Sequence, residues 1–345
     1  MPKVAILQNV ISHYRVPVYD RLAEAVDLTV FHSGPSINSR FEERRFRSFR
    51  VGPLRFQPGL FRGVVAFQPD VVIGMFDPRW VSVTRAVLRF RHRAFLRGQG
   101  LGRHALGTAI RVALARRTRG VLLYSGRDLD AFLRLGVARD RLSVSPNTVF
   151  VHPEARHRQP GPRSTVLFVG RLSARKKLDI LLRQFARVLP DLPSATNLEI
   201  VGIGEEQEAL EVAARNLGIG DRVLFLGPVF DGAELVEVFA RAHCYVCPAA
   251  LGLSVLHSFG HGVPVVALSE ERHGPEATAM ACGVNGFLSE SCDELGAAIK
   301  ALVLNHDLST KMGNAALEHY WNHFTVDHMA QSYLDAIKTL QGPPS

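Results

Sequence analysis

The stretch AALGLSVLHSFGHGVPVVA, residues 249–267, is the most informative part of this chain for its fold. Small residues lead to Gly252, and one or two amphipathic helical turns follow it. The helical pattern stops at Gly262 and Pro264, and a strand-like run then begins at Val265. A glycine-led helix, a glycine–proline stop and a buried strand are typical of α/β proteins that present main-chain N–H groups to a phosphate. The stretch therefore predicts an α/β fold with an anion site where the helix begins.

The same alternation of short apolar runs and helical patterns extends to both sides of this stretch. It predicts βαβ units on parallel sheets, in two sets. The first set has predicted strands at residues 4–8, 28–31, 71–74, 94–97 and 120–124. The second has predicted strands at residues 166–170, 198–202, 222–226, 244–247 and 265–267, with helices at 179–188, 206–217, 233–242 and 255–261.

Two such sets predict two Rossmann-like lobes. A Pro- and Arg-rich segment at residues 152–163 separates them, which places the first domain at 1–150 and the second at 164–325. Because open α/β sheets bind ligands beyond the carboxyl ends of their strands, we expect both parallel sheets to face a central cleft.

The composition is that of a globular protein with a large core. The chain has 345 residues, of which 47% are hydrophobic and 21% are charged. The sequence has no uninterrupted apolar window of about 18 residues, which argues against a membrane-spanning helix. The N-terminal apolar run is too short for a secretory signal. Four scattered cysteines do not make a disulfide framework. Cys244 and Cys247 would point to opposite faces of a strand, which favours core thiols over metal ligands. We therefore expect a cytoplasmic protein.

The basic residues are concentrated in the first half of the chain. Residues 1–150 hold 25 of the 41 Lys and Arg residues but only 10 of the 32 Asp and Glu residues. This excess favours an anionic partner for the first lobe, such as nucleic acid, an anionic membrane surface or a phosphorylated lipid. An Arg-rich composition without any partner explains the same counts. Nucleic acid is not expected, because no recognised motif or aromatic stacking platform is present.

A second anion motif, FVGRLSARKK at residues 168–177, runs from a strand end into a helix. Arg171 and Lys176 are five residues apart across this junction, so their side chains can converge on one anion. A diphosphate leaving group needs such cationic donors where negative charge develops. Taken alone, the motif also fits a solvated basic turn.

Several motifs of the second lobe occur together in one order and spacing. They are Gly170-Arg171-Leu172 with Lys176, residues 200–204, residues 223–229, Glu234-Leu235, Pro248 and residues 262–266. In this respect the chain resembles glycosyltransferase family 4, whose members have the GT-B fold. The resemblance covers most of residues 164–290 and is looser in the first lobe. It also implies that a closing helix at residues 326–340 packs back on the first lobe.

The resemblance implies a retaining, metal-independent hexosyltransferase that uses a UDP- or GDP-sugar and no cofactor. Arg171 and Lys176 would be the catalytic residues and would hold the donor diphosphate. The amides of Gly252 and Leu253 would bind the same phosphate, and the loop at Val229 would cover the nucleobase. The leaving phosphate would help to deprotonate the acceptor, so a carboxylate nucleophile is not required. The predicted donor-binding residues are Gly170, Gly204, Val229, Gly252, Leu253, Ser254, His257 and Glu276.

Two positions depart from the family pattern. A pair of glutamates eight residues apart frames this segment in the family, and Ala249 and His257 stand at those positions here. An imidazole makes one hydrogen bond where the family's second glutamate holds the ribose through two. Glu276 is the nearest candidate to supply a carboxylate, unless it only stabilises a helix N-terminus. The alternative function is a catalytically silent GT-B-like subunit that binds a nucleotide or a partner.

On the acceptor side we predict Arg15, within HYRVP at residues 13–17, and Gln99, within RGQG at residues 97–100. The resemblance implies a glycan or polyprenyl-diphosphate-linked acceptor and a role in cell-surface polysaccharide biosynthesis. Two stretches that mix Arg with apolar residues, 79–97 and 103–119, would contact anionic lipid at the inner face of the plasma membrane. Core helices with a charged outer face are the alternative for these stretches.

Two other patterns are weaker. Gly202 and Gly204 follow a strand, but the third glycine of a dinucleotide fingerprint is missing. His257 and His261 have the spacing of a zinc-protease helix, but Ser258 replaces its glutamate. No metal site is predicted.

Overall fold

The computed structural model describes residues 1–102, 104–157 and 161–340. Arg103, where the second Arg-rich stretch begins, and residues 158–160 of the predicted linker lie outside the described residues. The chain forms two compact units. The first comprises Met1–Thr148 and the segment that begins at Val326, and the second is Val149–Thr325.

A seven-stranded parallel sheet forms the centre of the first unit, in the order β3-β2-β1-β6-β7-β8-β9. Its inner strands are apolar on both faces, as expected for a parallel sheet covered on both sides. Along β1, for example, Ala5 and Leu7 belong to one core layer, and Val4 and Ile6 to the other. The strands are β1 (Lys3–Leu7), β2 (Asp27–His32), β3 (Glu42–Arg45), β6 (Val71–Met75), β7 (Ala94–Gly98), β8 (Gly120–Leu123) and β9 (Leu142–Val144), and a separate antiparallel hairpin is formed by β4 (Phe49–Val51) and β5 (Leu54–Phe56).

The described residues of the first unit form six α-helices. The last of them, α13, packs against α1, and Arg21 Nε lies 2.7 Å from Asp327 Oδ1 between the two helices. Its buried Met329 and Tyr333 extend the core layer beneath α1. The helices are α1 (Val16–Ala23), α2 (Leu60–Phe67), α3 (Val81–Arg89), α4 (Ala105–Arg117), α5 (Gly126–Arg134) and α13 (Val326–Lys338).

The second unit has a six-stranded parallel sheet in the order β12-β11-β10-β13-β14-β15. Its strands are β10 (Thr165–Val169), β11 (Asn197–Val201), β12 (Val223–Gly227), β13 (Ala242–Cys247), β14 (Val265–Leu268) and β15 (Gly286–Ser289). Its helices are α6 (Glu154–His157), α7 (Leu178–Val188), α8 (Gln207–Asn216), α9 (Gly232–Ala240), α10 (Ser254–Gly260), α11 (Cys292–Leu304) and α12 (His306–His323). Cys244 and Cys247 are both buried in the central strand β13.

Every strand predicted from the sequence is present, and the observed bounds differ from the predicted ones by two residues at most. Sequence patterns missed the edge strands β3, β9 and β15 and the hairpin. β3 reads Glu-Glu-Arg-Arg, and a charged edge strand lacks the apolar periodicity by which strands are recognised. In the described part of the chain, no helix is both long and apolar enough to cross a membrane.

Acidification is expected to destabilise the second unit through His243, the second residue of β13. Burial, with smaller contributions from Arg163 and His306, lowers the pKa of His243 to about 4. The folded state therefore favours neutral imidazole, whereas the unfolded chain takes up a proton near pH 6.5. Stability due to His243 is complete above about pH 6.5 and is lost as the pH falls towards about 4.

We expect the free energy of unfolding, measured in urea, to fall by roughly 2 kcal/mol through this residue between about pH 7 and pH 5. His243→Gln should reduce the pH dependence by that amount, since the other histidines titrate in both proteins. Identical pH dependences for the variant and the wild type would contradict the assignment.

Candidate functional site

The candidate site lies at the carboxyl edge of the second sheet, where the loops after β10 and β11 pack backbone against backbone. A Cβ atom at Gly202 would lie 1.8 Å from the carbonyl oxygen of Gly170. One at Gly204 would lie 1.9 Å from that of Leu172. No side chain fits at either position, so glycine is required there for the two loops to meet. This contact holds Arg171 at the sheet edge.

The two predicted catalytic cations, Arg171 and Lys176, differ in exposure and in the residues near them. Arg171 is exposed, and its Nη2 lies 3.1 Å from Glu205 Oε2. A main-chain hydrogen bond and Arg171 together lower the pKa of Glu205. Lys176 ends a 3₁₀ turn, Ala174–Lys176, and is half-buried. Burial raises the pKa of the Cys247 thiol, and Lys176 lies near enough to oppose part of that rise. Lys176 is therefore beside the carboxyl end of β13, the strand next to β10.

Lys177, between this turn and α7, has a left-handed backbone conformation with φ of 52°. A residue with a Cβ atom adopts it at a cost, and such positions cluster at functional sites. The Lys177 side chain forms an ion pair with Glu271 on the loop after β14, and Glu271 raises the pKa of Lys177. This pair links the two loops on either side of the candidate site.

The loop after β13 presents main-chain donors at the same edge. The amides of Gly252 and Leu253 precede α10 and meet no protein acceptor within the described ranges. The next residue, Ser254, lies beside the buried hydroxyl of Tyr245. Because β10 and β13 are hydrogen-bonded neighbours, these amides and Lys176 follow adjacent strand ends. One ammonium group and two N–H donors therefore follow neighbouring strands at the same edge, and these are group types that bind anions.

The two positions that depart from the family pattern have different surroundings. Ala249 is 1% exposed, so its side chain belongs to the core of the second unit. His257 lies on α10, and its ring contacts the rings of Phe239 and His261 edge-on, with centroids 5.1 Å and 5.0 Å away. The imidazole of His257 is thus part of an aromatic group between α9 and α10.

Glu276 lies on a loop that is docked against residues 249–252. The Leu251 amide donates to His273 Nδ1 at 3.1 Å, and the Gly274 amide donates to the Leu251 carbonyl at 2.7 Å. A Cβ atom at Gly274 would be 2.6 Å from Glu276 Oε2 and 3.6 Å from the Cα atom of Gly252. Glu276 is buried, at 8% exposure. Its carboxylate therefore lies close to the amides that precede α10.

The predicted nucleobase loop follows β12. Val229 is half-buried and packs against the core, whereas its neighbour Phe230 is 89% exposed. An aromatic ring this exposed is available to a ligand, and the sequence prediction did not include it.

In the first unit, one of the two predicted acceptor residues is buried and the other is exposed. Arg15 is 4% exposed and donates to the hydroxyl of Tyr124 at 2.9 Å. Gln99 is exposed on the loop after β7, and its carbonyl accepts from Arg111 Nη1 at 3.0 Å. Arg97, a buried arginine in β7, donates to the side chains of Gln8 and Tyr333, each at 3.1 Å. Arg15 and Arg97 form no ion pair within the described ranges, so both are held by neutral groups.

The sequence patterns did not single out Asp128, whose carboxyl group lies at the carboxyl edge of the first sheet, after β8. Asp128 lies in the first turn of α5, where burial raises the pKa of its carboxyl group. A Cβ atom at Gly100 would be 2.1 Å from Asp128 Oδ1, so only glycine fits opposite it. Arg111 and Asp77 complete the group electrostatically. The sequence carries RGQG at residues 97–100 and GRDLD at residues 126–130, and neither motif indicates that it contacts the other.

A family profile matches the second unit. The profile described as glycosyl transferases group 1 covers residues 154–319, which include every strand of the second sheet. The chain belongs to the glycosyl transferases group 1 family.

This group 1 family member is similar to D-inositol 3-phosphate glycosyltransferases. It is 33% identical to that of Acidothermus cellulolyticus over 263 residues, which is 68% of this chain and 57% of the relative. It is 32% identical to that of Geodermatophilus obscurus over 238 residues, 64% of this chain and 48% of the relative. The chain thus spans about half the length of the curated relatives it matches.

Among solved structures, this group 1 family member is similar to HepE from Anabaena in complex with UDP and glucose. The TM-score is 0.72 at 19% identity, and the match covers 99% of this chain and 100% of HepE. At this identity the likeness concerns the fold. The GT-B fold class predicted from the sequence is confirmed.

In this group 1 family member, Gly252→Ala tests whether a ligand approaches the main chain before α10. A Cβ atom there would meet no atom within 4 Å, so the free energy of unfolding should change by about 1 kcal/mol or less. A phosphate bound to the neighbouring amides would be displaced, and we expect donor affinity to fall by about tenfold or more. Calorimetric titration and urea unfolding measure the two effects. Unchanged affinity for the nucleotide sugar would contradict the assignment of these amides.

Proposed function

We propose that the protein transfers a hexose from a UDP- or GDP-sugar to a glycan or polyprenyl-diphosphate-linked acceptor, in cell-surface polysaccharide biosynthesis. The observation that carries this proposal is that Lys176 and the amides of Gly252 and Leu253, which are group types that bind anions, follow the neighbouring strands β10 and β13. Family membership supports glycosyl transfer. The similar structure of HepE is a complex with UDP and glucose, which supports a nucleotide-sugar donor.

The proposed reaction retains the configuration of the anomeric carbon and needs no metal ion. The bond from the anomeric carbon to the diphosphate oxygen breaks, and the acceptor oxygen bonds to the same face of that carbon. The acceptor proton goes to the leaving diphosphate. Lys176 and the two amides stabilise the charge that develops on this leaving group, and Arg171 adds to them once it is released from Glu205.

Further contacts to the nucleotide sugar are proposed from the residues around the site. Val229 and the exposed ring of Phe230, both on the loop after β12, would cover the nucleobase. Glu276 lies close to the amides before α10 and would meet the transferred sugar. Ser254 and His257 would complete the donor contacts on α10.

We further propose that the first unit contacts an anionic membrane surface at the inner face of the plasma membrane. Two apolar residues of α4, Leu106 and Ile110, are 73% and 40% exposed, one helical turn apart. A wholly core-facing helix would bury them, so their exposure beside arginines favours an interfacial helix.

A second candidate function is a catalytically silent subunit that binds a nucleotide or a partner. It is favoured by Ala249, which is buried and offers no polar atom, and by His257, whose ring packs against Phe239.

Calorimetry with UDP- and GDP-linked sugars, followed by assays of donor hydrolysis and of transfer to a lipid extract, tests these candidates. Binding with turnover supports transfer. Binding without turnover favours the silent subunit. Absence of binding by any nucleotide sugar, with Lys176→Ala behaving as wild type, would overturn the donor site itself.

A further inference from the structure

A cavity of about 440 Å³ opens at the amino edge of the first sheet, the edge opposite the strand ends described above. The junctions between helix and strand that precede three neighbouring strands, β7, β8 and β9, line it, and the last residues of α4 belong to this lining. Each junction contributes arginine. The volume is within the range of roughly 300–1,000 Å³ found for small-molecule sites.

The lining of this cavity is strongly basic. It contains one carboxylate, that of Asp140, against five guanidinium groups, those of Arg91, Arg116, Arg117, Arg119 and Arg141. Across residues 1–102, 104–157 and 161–340, none of the five forms an ion pair. Five like charges around one cavity repel one another, and a multiply charged anion between them would remove that repulsion.

Part of this set has a structural role. Arg141 donates to the carbonyl of Thr118, and Arg116 Nη2 donates to that of Leu135 at 2.7 Å. These carbonyls lie at helix C-termini, where cations are stabilising. Such contacts account for two of the five arginines.

The other three arginines of the cavity do not cap the helix C-termini described above. Arg91 Nε bonds only the ring of its neighbour His92, at 3.1 Å, and Arg119 reaches the carbonyl of Thr339 at 3.5 Å. The side chain of Arg117 is exposed and makes no hydrogen bond to a described residue. Each guanidinium carries five N–H donors in a fork that matches phosphate oxygens. The cavity therefore has unused directional donors as well as charge.

We propose that this cavity binds a phosphate group, as a phosphomonoester or a diphosphate, held chiefly by Arg91 and Arg117. The group comes from a soluble phosphate compound or from a lipid headgroup. Since the cavity is at the amino edge of the sheet, it is separate from the proposed transfer reaction and stands whether or not that reaction occurs.

The test uses the full chain and the double variant Arg91→Gln/Arg117→Gln, which keeps the two helix-capping arginines. The matched control is Arg47→Gln/Arg62→Gln, which removes two exposed arginines of the same unit that do not line the cavity. Pyrophosphate is titrated by calorimetry at constant ionic strength. Excess UDP is present, so that it occupies the candidate donor site at the carboxyl edge of the second sheet. Cosedimentation with vesicles of phosphatidic acid, whose headgroup is a phosphomonoester, in phosphatidylcholine forms the second arm.

We expect the cavity variant to weaken binding about tenfold or more, while the control stays within about twofold of wild type. Loss confined to the pyrophosphate arm identifies a soluble ligand, and loss confined to the vesicle arm identifies a headgroup. The proposal is overturned if the cavity variant binds both probes as wild type does, or if both variants lose binding equally, since that indicates general charge attraction.

Discussion

Lys176→Ala is expected to lower kcat/KM for the nucleotide-sugar donor by about 10²–10³-fold, the range seen when one donor to a developing anion is removed. Lys176 is half-buried near the end of β13, where its ammonium group would meet the leaving diphosphate with less competition from water than at an exposed position. Steady-state transfer assays with the purified chain measure the effect. Arg175→Ala is the matched control, because Arg175 is an exposed cation of the same turn.

Arg171→Ala should have a smaller effect, about tenfold, because Arg171 is exposed and must first leave Glu205. Glu205→Gln should leave kcat/KM equal to or above that of wild type, since it releases this arginine. If Lys176→Ala and Arg175→Ala reduced kcat/KM equally, the turn would contribute only general positive charge and the assigned role of Lys176 would be wrong.

Gly204→Ala is expected to have the largest effect on stability, a loss of about 3 kcal/mol or more in the free energy of unfolding. Its Cβ atom would lie 1.9 Å from the carbonyl oxygen of Leu172, and a main-chain atom cannot rotate away as a side chain can. Gly202→Ala should act similarly through the carbonyl of Gly170. The loops after β10 and β11 would separate, so donor binding should weaken together with stability.

Urea unfolding of the variants measures this loss, with Gly252→Ala as the control at a glycine that has open space around it. A Gly204→Ala protein as stable as the control would show that the two loops do not pack backbone against backbone.

Much of the fold could be predicted because parallel strands are recognised by apolar runs that local sequence carries. β10 and β13 were predicted to within two residues for this reason. The edge strand β3 was missed because Glu-Glu-Arg-Arg is a strand only through its pairing with β2. Its pairing partner is ten or more residues away, beyond the reach of any local pattern.

The candidate site was predictable as a set of residues but not as an arrangement. That Arg171 and Lys176 can converge on one anion stays a prediction, and the structure adds that Arg171 pairs with Glu205 and that Lys176 lies near Cys247. The glutamate partners and the aromatic surroundings of His257 arise from loops and helices that folding brings together. Their sequence spacing carries no sign of these contacts.

Apolar periodicity and glycine placement were enough to predict the α/β class and two parallel sheets, and the motifs of the second lobe, in their order and spacing, carried the resemblance to a glycosyltransferase family. These properties depend on neighbours within a few residues, which the chain itself specifies. Only the tertiary structure decided which side chains share an edge of a sheet, that Ala249 is buried, and that five arginines from separate helix–strand junctions surround one cavity. Such features depend on contacts between distant segments, whose geometry is set by packing rather than by any local pattern.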